Sequence, residues 1–139
     1  MKTFVINLPD RKDRMQRFNA NNPYLEYETF KAVEGYKVGY EKLLSQGFDT
    51  DHNWIDPILK TPLTKGEVGC FLSHWHLWNK CIEKNEPIIV LEDDAILTDK
   101  FDVEEISKLK YDFLYLGWKE MDKSKDCLLY TSPSPRDRQ

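Results

Sequence analysis

The sequence predicts an α/β fold on a mostly parallel sheet. Three observations carry that reading: short β-branched runs bounded by turn residues, helical stretches between them, and polar clusters where the runs end. The 139 residues suffice for one domain, and 40% hydrophobic with 13% aromatic content belongs to a folded chain.

Residues 3–8 open the pattern with Phe4, Val5 and Ile6, an apolar run closed by Pro9 that reads as a buried strand. Asp10 is expected to cap the helix that follows, with Asp13 adding negative charge to its first turn. Residues 19–23 end that helix, and residues 27–33 form a second strand closed by Glu34 and Gly35. Residues 36–60 mix aromatics with turn formers and read as a structured excursion with a helical turn over 41–46. Thr64-Lys65-Gly66-Glu67 has the form of a capping box, and Val68, Leu72, Trp75, Asn79 and Ile82 then recur at helical spacing. Lys80, Lys84 and Asn85 populate the end of this helix and Pro87 stops it. Residues 88–91 read as a central strand that delivers Glu92-Asp93-Asp94 at its carboxyl end. A short helix over 103–109 and a further strand over 111–116, ending at Gly117, complete the pattern.

Composition narrows the function. A formal charge of −4 without a basic block argues against a nucleic-acid partner. No run of about 18 apolar residues exists, so no transmembrane segment is expected, which leaves peripheral membrane association open. The first residues turn polar too soon for a secretory signal. Of three cysteines, Cys70 and Cys81 share one helix about 16 Å apart, beyond bridging distance, so a reducing cytoplasmic setting is expected. From Cys127 onward two prolines and no apolar period resemble translated adapter sequence more than a natural terminus. The expected organisation is a partial domain over 1–126 and a non-native or disordered tail over 127–139.

In parallel sheets ligands bind beyond the carboxyl ends of the strands. Asn7 to Arg14, Glu34, and Glu92 to Asp94 all fall at such ends. Three adjacent carboxylates repel one another unless a cation or hydrogen-bond donors offset them. The triplet therefore reads either as a solvated acidic turn or as hard oxygen ligands for Mn2+ or Mg2+. Arg11 and Arg14 lie one helical turn apart beside a helix N-terminus, a pattern that suits an anionic phosphate; an exposed basic face with Lys12 and Arg17 is the alternative. His74 and His76 stand about 160° apart on a helix and form no metal pair. Core packing is the default for Trp75 and Trp78. No glycine-rich phosphate loop and no nucleophilic triad is present.

Taken together, these segments resemble glycosyltransferase family 25, which includes lipooligosaccharide sugar transferases and collagen galactosyltransferases. The resemblance rests on Phe4-Val5-Ile6-Asn7-Leu8 with Arg11 and Arg14, on Lys31-Ala32-Val33-Glu34-Gly35, and on Leu63-Thr64-Lys65-Gly66-Glu67-Val68-Gly69-Cys70 with Ser73-His74. Ile88-Ile89-Val90-Leu91-Glu92-Asp93-Asp94 and Tyr111-Asp112-Phe113-Leu114-Tyr115-Leu116-Gly117 continue it in the same order.

The resemblance implies a GT-A-like, Rossmann-like fold that is C-terminally truncated. It implies inverting transfer of a hexose from a nucleotide diphosphate sugar, a UDP-hexose, to a glycan or lipooligosaccharide hydroxyl in lipopolysaccharide biosynthesis. A divalent metal, Mn2+ or Mg2+, would be held by Asp94 and Glu92, with Glu92 also touching donor ribose or sugar and Asp93 acting through water or sugar hydroxyls. Asn7, Arg11, Arg14 and Glu34 would line the nucleotide pocket, with Ser73 and His74 as further donor contacts. The general base that an acceptor hydroxyl needs is expected beyond Asp126. Two other classes compete: a non-catalytic nucleotide- or metal-binding fragment, and a receiver-like signalling domain. The receiver would carry its acidic pair after the first strand, where this chain has Asn7-Leu8-Pro9-Asp10.

Overall fold

The computed structural model describes residues 1–38, 43, 45–48, 62–99 and 101–116. The chain forms two compact units, Met1–Val103 and Glu104–Gln139. In the first unit three strands, β1 (Lys2–Asn7), β2 (Glu28–Lys31) and β3 (Ile88–Glu92), make an all-parallel sheet of order β2-β1-β3. Helix α1 (Lys12–Asn21) follows β1, and helix α2 (Lys65–Lys84) precedes β3.

β1 is central and covered on both sides: every residue from Thr3 to Asn7 is buried. The strand reading of residues 88–91 holds, but β3 is an edge and not a centre of the sheet among the described residues. Strand periodicity splits the residues between two faces. Phe4 and Ile6 pack with Leu77 of α2, flanked by Phe30, Ala32, Ile88 and Val90. Thr3, Val5, Asn7, Ile89, Leu91 and Asp93 fall on the alternate positions, and all six are buried.

α1 starts one residue later than expected. Arg11, not Asp10, is its N-cap, and no side chain caps it. Its buried anchor is Phe18, packed edge-on against Tyr27 with ring centroids 5.4 Å apart. Asn22 closes it, bonding Phe18 O and Ala95 O through Nδ2 and accepting from the Leu97 amide through Oδ1.

α2 begins with the expected capping box. Thr64 Oγ1 accepts from the Glu67 amide at 3.2 Å and Glu67 Oε2 accepts from the Thr64 amide at 2.6 Å. Asn85, in the left-handed region at φ 51°, ends it. The buried stripe is rotated from the one expected: Gly69, Leu72, Ser73 and Leu77 are buried, whereas Ile82 is 74% exposed. The cause is a backbone contact. A 3₁₀ turn, Gly35–Lys37, lies against the start of α2 so closely that a Cβ on Gly35 would stand 1.7 Å from the Lys65 carbonyl oxygen. A Cβ on Gly69 would stand 2.5 Å from the Val33 carbonyl oxygen. Small residues set the helix phase here, a signal that an apolar period does not register.

Helix α3 (Val103–Lys108) appears close to its expected place. The strand expected over 111–116 does not: the segment has no regular structure, joins no ladder and exposes its side chains, Tyr111 at 68%. An apolar, aromatic run suits a strand only when a neighbour meets its backbone groups, and propensity supplies no neighbour. Most of the excursion over 36–60, including His52 and Trp54, lies outside the described residues, as do Gly117 and the tail 127–139. Leu43 and Ser45, within the predicted turn 41–46, are helical. No described helix is long and apolar enough to cross a membrane.

Candidate functional site

The acidic triplet ends β3, so strand alternation sends its members to different neighbours. Asp93 is 6% exposed and turns toward α1. Asn7, the last residue of β1, donates from Nδ2 to Asp93 Oδ2 at 2.6 Å and also reaches the Arg11 carbonyl oxygen at 3.2 Å. Arg14 Nη2 lies 2.8 Å from Asp93 Oδ1 and 2.9 Å from Asp94 Oδ2. A buried carboxylate with donors on both oxygens is stable, whereas an unpaired one would not be. Asp94 stands beside it at 66% exposure, facing outward.

Glu92 turns to the other side, toward α2. Its Oε1 lies 3.2 Å from His74 Nε2 and accepts from Cys70 Sγ at 3.3 Å. The His74 hydrogen bond, with help from the Cys70 thiol, holds the Glu92 carboxyl below its ordinary range. Burial, with the negative charge of Glu92 beside it, pushes the Cys70 thiol up to about 11. Asp93 and Asp94 thus offset their repulsion by sharing Arg14, and Glu92 escapes it by turning to Cys70 and His74.

The structure brings together Asn7, Arg14, Asp93 and Asp94 on the α1 side, and Glu92 with His74 on the α2 side. Arg11 turns away from Arg14 and pairs with Asp13 at 2.9 Å. Glu34 pairs with Lys37 at 2.6 Å. Ser73 is fully buried, donating to the Gly69 carbonyl at 2.7 Å and accepting from the Val33 amide at 2.8 Å, so its hydroxyl ties α2 to the end of β2. Two residues of the site region went unread in the sequence. Cys70 stands at one-face helical spacing from His74, but its contact Glu92 is 22 positions away and leaves no local pattern. Asn22 binds the turn after β3 only because the fold returns there.

A cleft of about 280 Å³ opens beside the α1-side carboxylates, lined by Arg14, Arg17, Phe18, Asn21, Asp93 and Asp94 among others. A recess of about 850 Å³ lies elsewhere, lined by Lys2, Thr3, Glu28 and loop residues including Tyr24 and Leu97, and carries none of the site residues. The smaller cleft sits at the carboxyl ends of the strands, where parallel sheets place ligands. Asp93 has both oxygens engaged, so Asp94, exposed and with one oxygen on Arg14, is the member of the pair open to a hard divalent cation of the magnesium or manganese type. Glu92 faces a thiol and an imidazole instead.

Comparison with known sequences gives a consistent answer. The family described as Glycosyltransferase family 25 (LPS biosynthesis protein) matches residues 1–131. Procollagen galactosyltransferase 1-B of Xenopus laevis is 35% identical over 132 residues, covering 86% of this chain and 21% of that protein. Inactive glycosyltransferase 25 family member 3 of Homo sapiens is 34% identical over 137 residues, 90% of this chain and 23% of its own. Procollagen galactosyltransferase 2 of Mus musculus is 33% identical over 129 residues, 85% of this chain and 21% of its own. The chain therefore spans about a fifth of the length of these relatives. No solved structure gives a significant match.

Proposed function

This chain belongs to glycosyltransferase family 25, and from that premise we propose that it forms the donor-binding part of a hexosyltransferase. The proposed reaction moves a hexose from a nucleotide diphosphate sugar, a UDP-hexose, to a glycan hydroxyl with inversion. The observation that carries this reading is the meeting of Asn7, Arg14, Asp93 and Asp94 at the carboxyl ends of β1 and β3.

Each group has work suited to its chemistry. Asp94, exposed beside the cleft, would hold Mn2+ or Mg2+. When bound, such a cation offsets the charge that develops on a diphosphate leaving group. Asp93 is held by Asn7 and Arg14, so it fixes the turn that presents Asp94. Arg14, on the cleft wall, offers a planar fork to a phosphate oxygen. Arg11 and Glu34 sit at the same strand ends and would contact the nucleotide after leaving their present surface partners. Glu92 and His74 would meet the donor sugar from the α2 side.

Thermal melting with uridine diphosphate and manganese tests the reading. A ligand that binds only the native state raises the melting temperature by mass action. The expected result is a rise that needs both components and disappears in Asp94→Ala. A manganese response unchanged in Asp94→Ala would remove Asp94 from its assigned role, and no response to either component would end the donor reading.

A further inference from the structure

Glu92 and His74, proposed above as donor-sugar contacts, stand with a thiol, Cys70, that a sugar contact does not call for. Cys70 and His74 are four residues apart on α2, which puts both on one face of the helix. Glu92, the last residue of β3, meets them there. A thiol sulfur, an imidazole nitrogen and a carboxylate oxygen from two elements all lie within 4.8 Å of one another.

We propose that Cys70, His74 and Glu92 form a binding site for zinc or a cation of the same borderline-soft class. Zinc bonds to sulfur, nitrogen and oxygen run about 2.0–2.3 Å, which sets tetrahedral ligands roughly 3.3–3.8 Å apart. The Cys70–Glu92 and His74–Glu92 separations of 3.3 and 3.2 Å are already close to that spacing. The third pair, Cys70 and His74, lies within 4.8 Å. The two helix ligands are well placed to wait for a metal, because the capping box fixes the start of α2 and buried Ser73 pins it between them. Three protein ligands leave a fourth tetrahedral position for water or another exogenous ligand. The thiolate distinguishes this site from the carboxylate of Asp94: sulfur selects zinc or cobalt over magnesium or manganese. A bound ion would link the first half of α2 to the end of β3 and hold Glu92 on that side.

This inference does not rest on the donor reading, and its test separates the two. Cobalt(II) serves as the spectroscopic stand-in for zinc in titrations of the full chain. The expected result is one equivalent bound, with thiolate-to-cobalt charge transfer in the near ultraviolet and visible bands of tetrahedral intensity. Added zinc should bleach both. Cys70→Ser should abolish the charge transfer, whereas Cys81→Ser with Cys127→Ser should keep it. His74→Gln should weaken binding at least about tenfold, since even losses around the ligands cost that much. Asp94→Ala should leave the cobalt spectrum intact while losing the manganese response. Circular dichroism checks that each variant is folded. A folded wild-type chain without charge transfer overturns the site, and so does a spectrum that survives Cys70→Ser.

Discussion

Asp93 shows how one residue gathers its surroundings. It is buried, and Asn7 and Arg14 supply its donors. Arg14→Ala leaves a buried carboxylate with a single side-chain donor, and urea denaturation should show a loss of about 2–3 kcal/mol, below the full cost of an unpaired buried charge because Asn7 remains. Arg17→Ala removes only a surface pair with Asp13 and should leave the midpoint unchanged. Cys70 offers a pH test. Burial is the larger cause that pushes its thiol up to about 11, and Glu92 adds to it. Raising the pKa keeps the thiol protonated, so metal-free Cys70 should alkylate slowly at pH 8 and faster only as pH approaches 11. Glu92→Gln removes the charge but not the burial, so the profile should move toward lower pH without reaching that of an ordinary thiol. Alkylation followed by mass spectrometry reads both. At this scale the strand-end position of the carboxylates was legible, because β-branched runs locate strand ends. Their partners were not, since pairings such as Asn7 with Asp93 span 86 positions and leave no local pattern.

α2 is the element most openly written in the sequence, and its cap is testable. Thr64→Ala removes the acceptor of the Glu67 amide and should cost about 1 kcal/mol. The glycines near its start divide sharply. Gly35→Ala would drive a methyl into the Lys65 carbonyl and should cost more than about 3 kcal/mol, because backbone would have to move. At Gly66 the nearest atom to an added methyl is Thr64 Oγ1 at 3.8 Å, so Gly66→Ala should be neutral or stabilise by up to about 1 kcal/mol. Thermal melts of the two variants make the comparison. The ends of the helix were readable because capping is local chemistry. Its buried face was not, because the 3₁₀ turn at Gly35 rotates the stripe onto Gly69 and Ser73, residues that carry little hydrophobic signal.

For the whole molecule, the parallel α/β plan followed from the alternation of runs and helices, and the sheet bears it out. Residues 111–116 mark where that logic stopped: composition names a strand former but cannot name its neighbour. The segment exposes Tyr111, Phe113 and Tyr115, and exposed aromatic runs favour association between chains. Sedimentation velocity should therefore show concentration-dependent association, and Phe113→Lys with Tyr115→Lys should move its onset to higher concentration. An unchanged onset would place the sticky surface elsewhere.

The sheet order also sets a timetable. β1 gains its first neighbour, β2, after a short connection through α1, but its second only when Ile88 to Glu92 arrive. Loop closure over so long a span is slow, and the half-paired strand must wait with one edge open. Refolding should pass through a state in which β1, α1 and β2 are protected from amide exchange before β3 is. The Asn7–Asp93 bond then comes last, so the site assembles only once the chain on both sides of α2 has found its place.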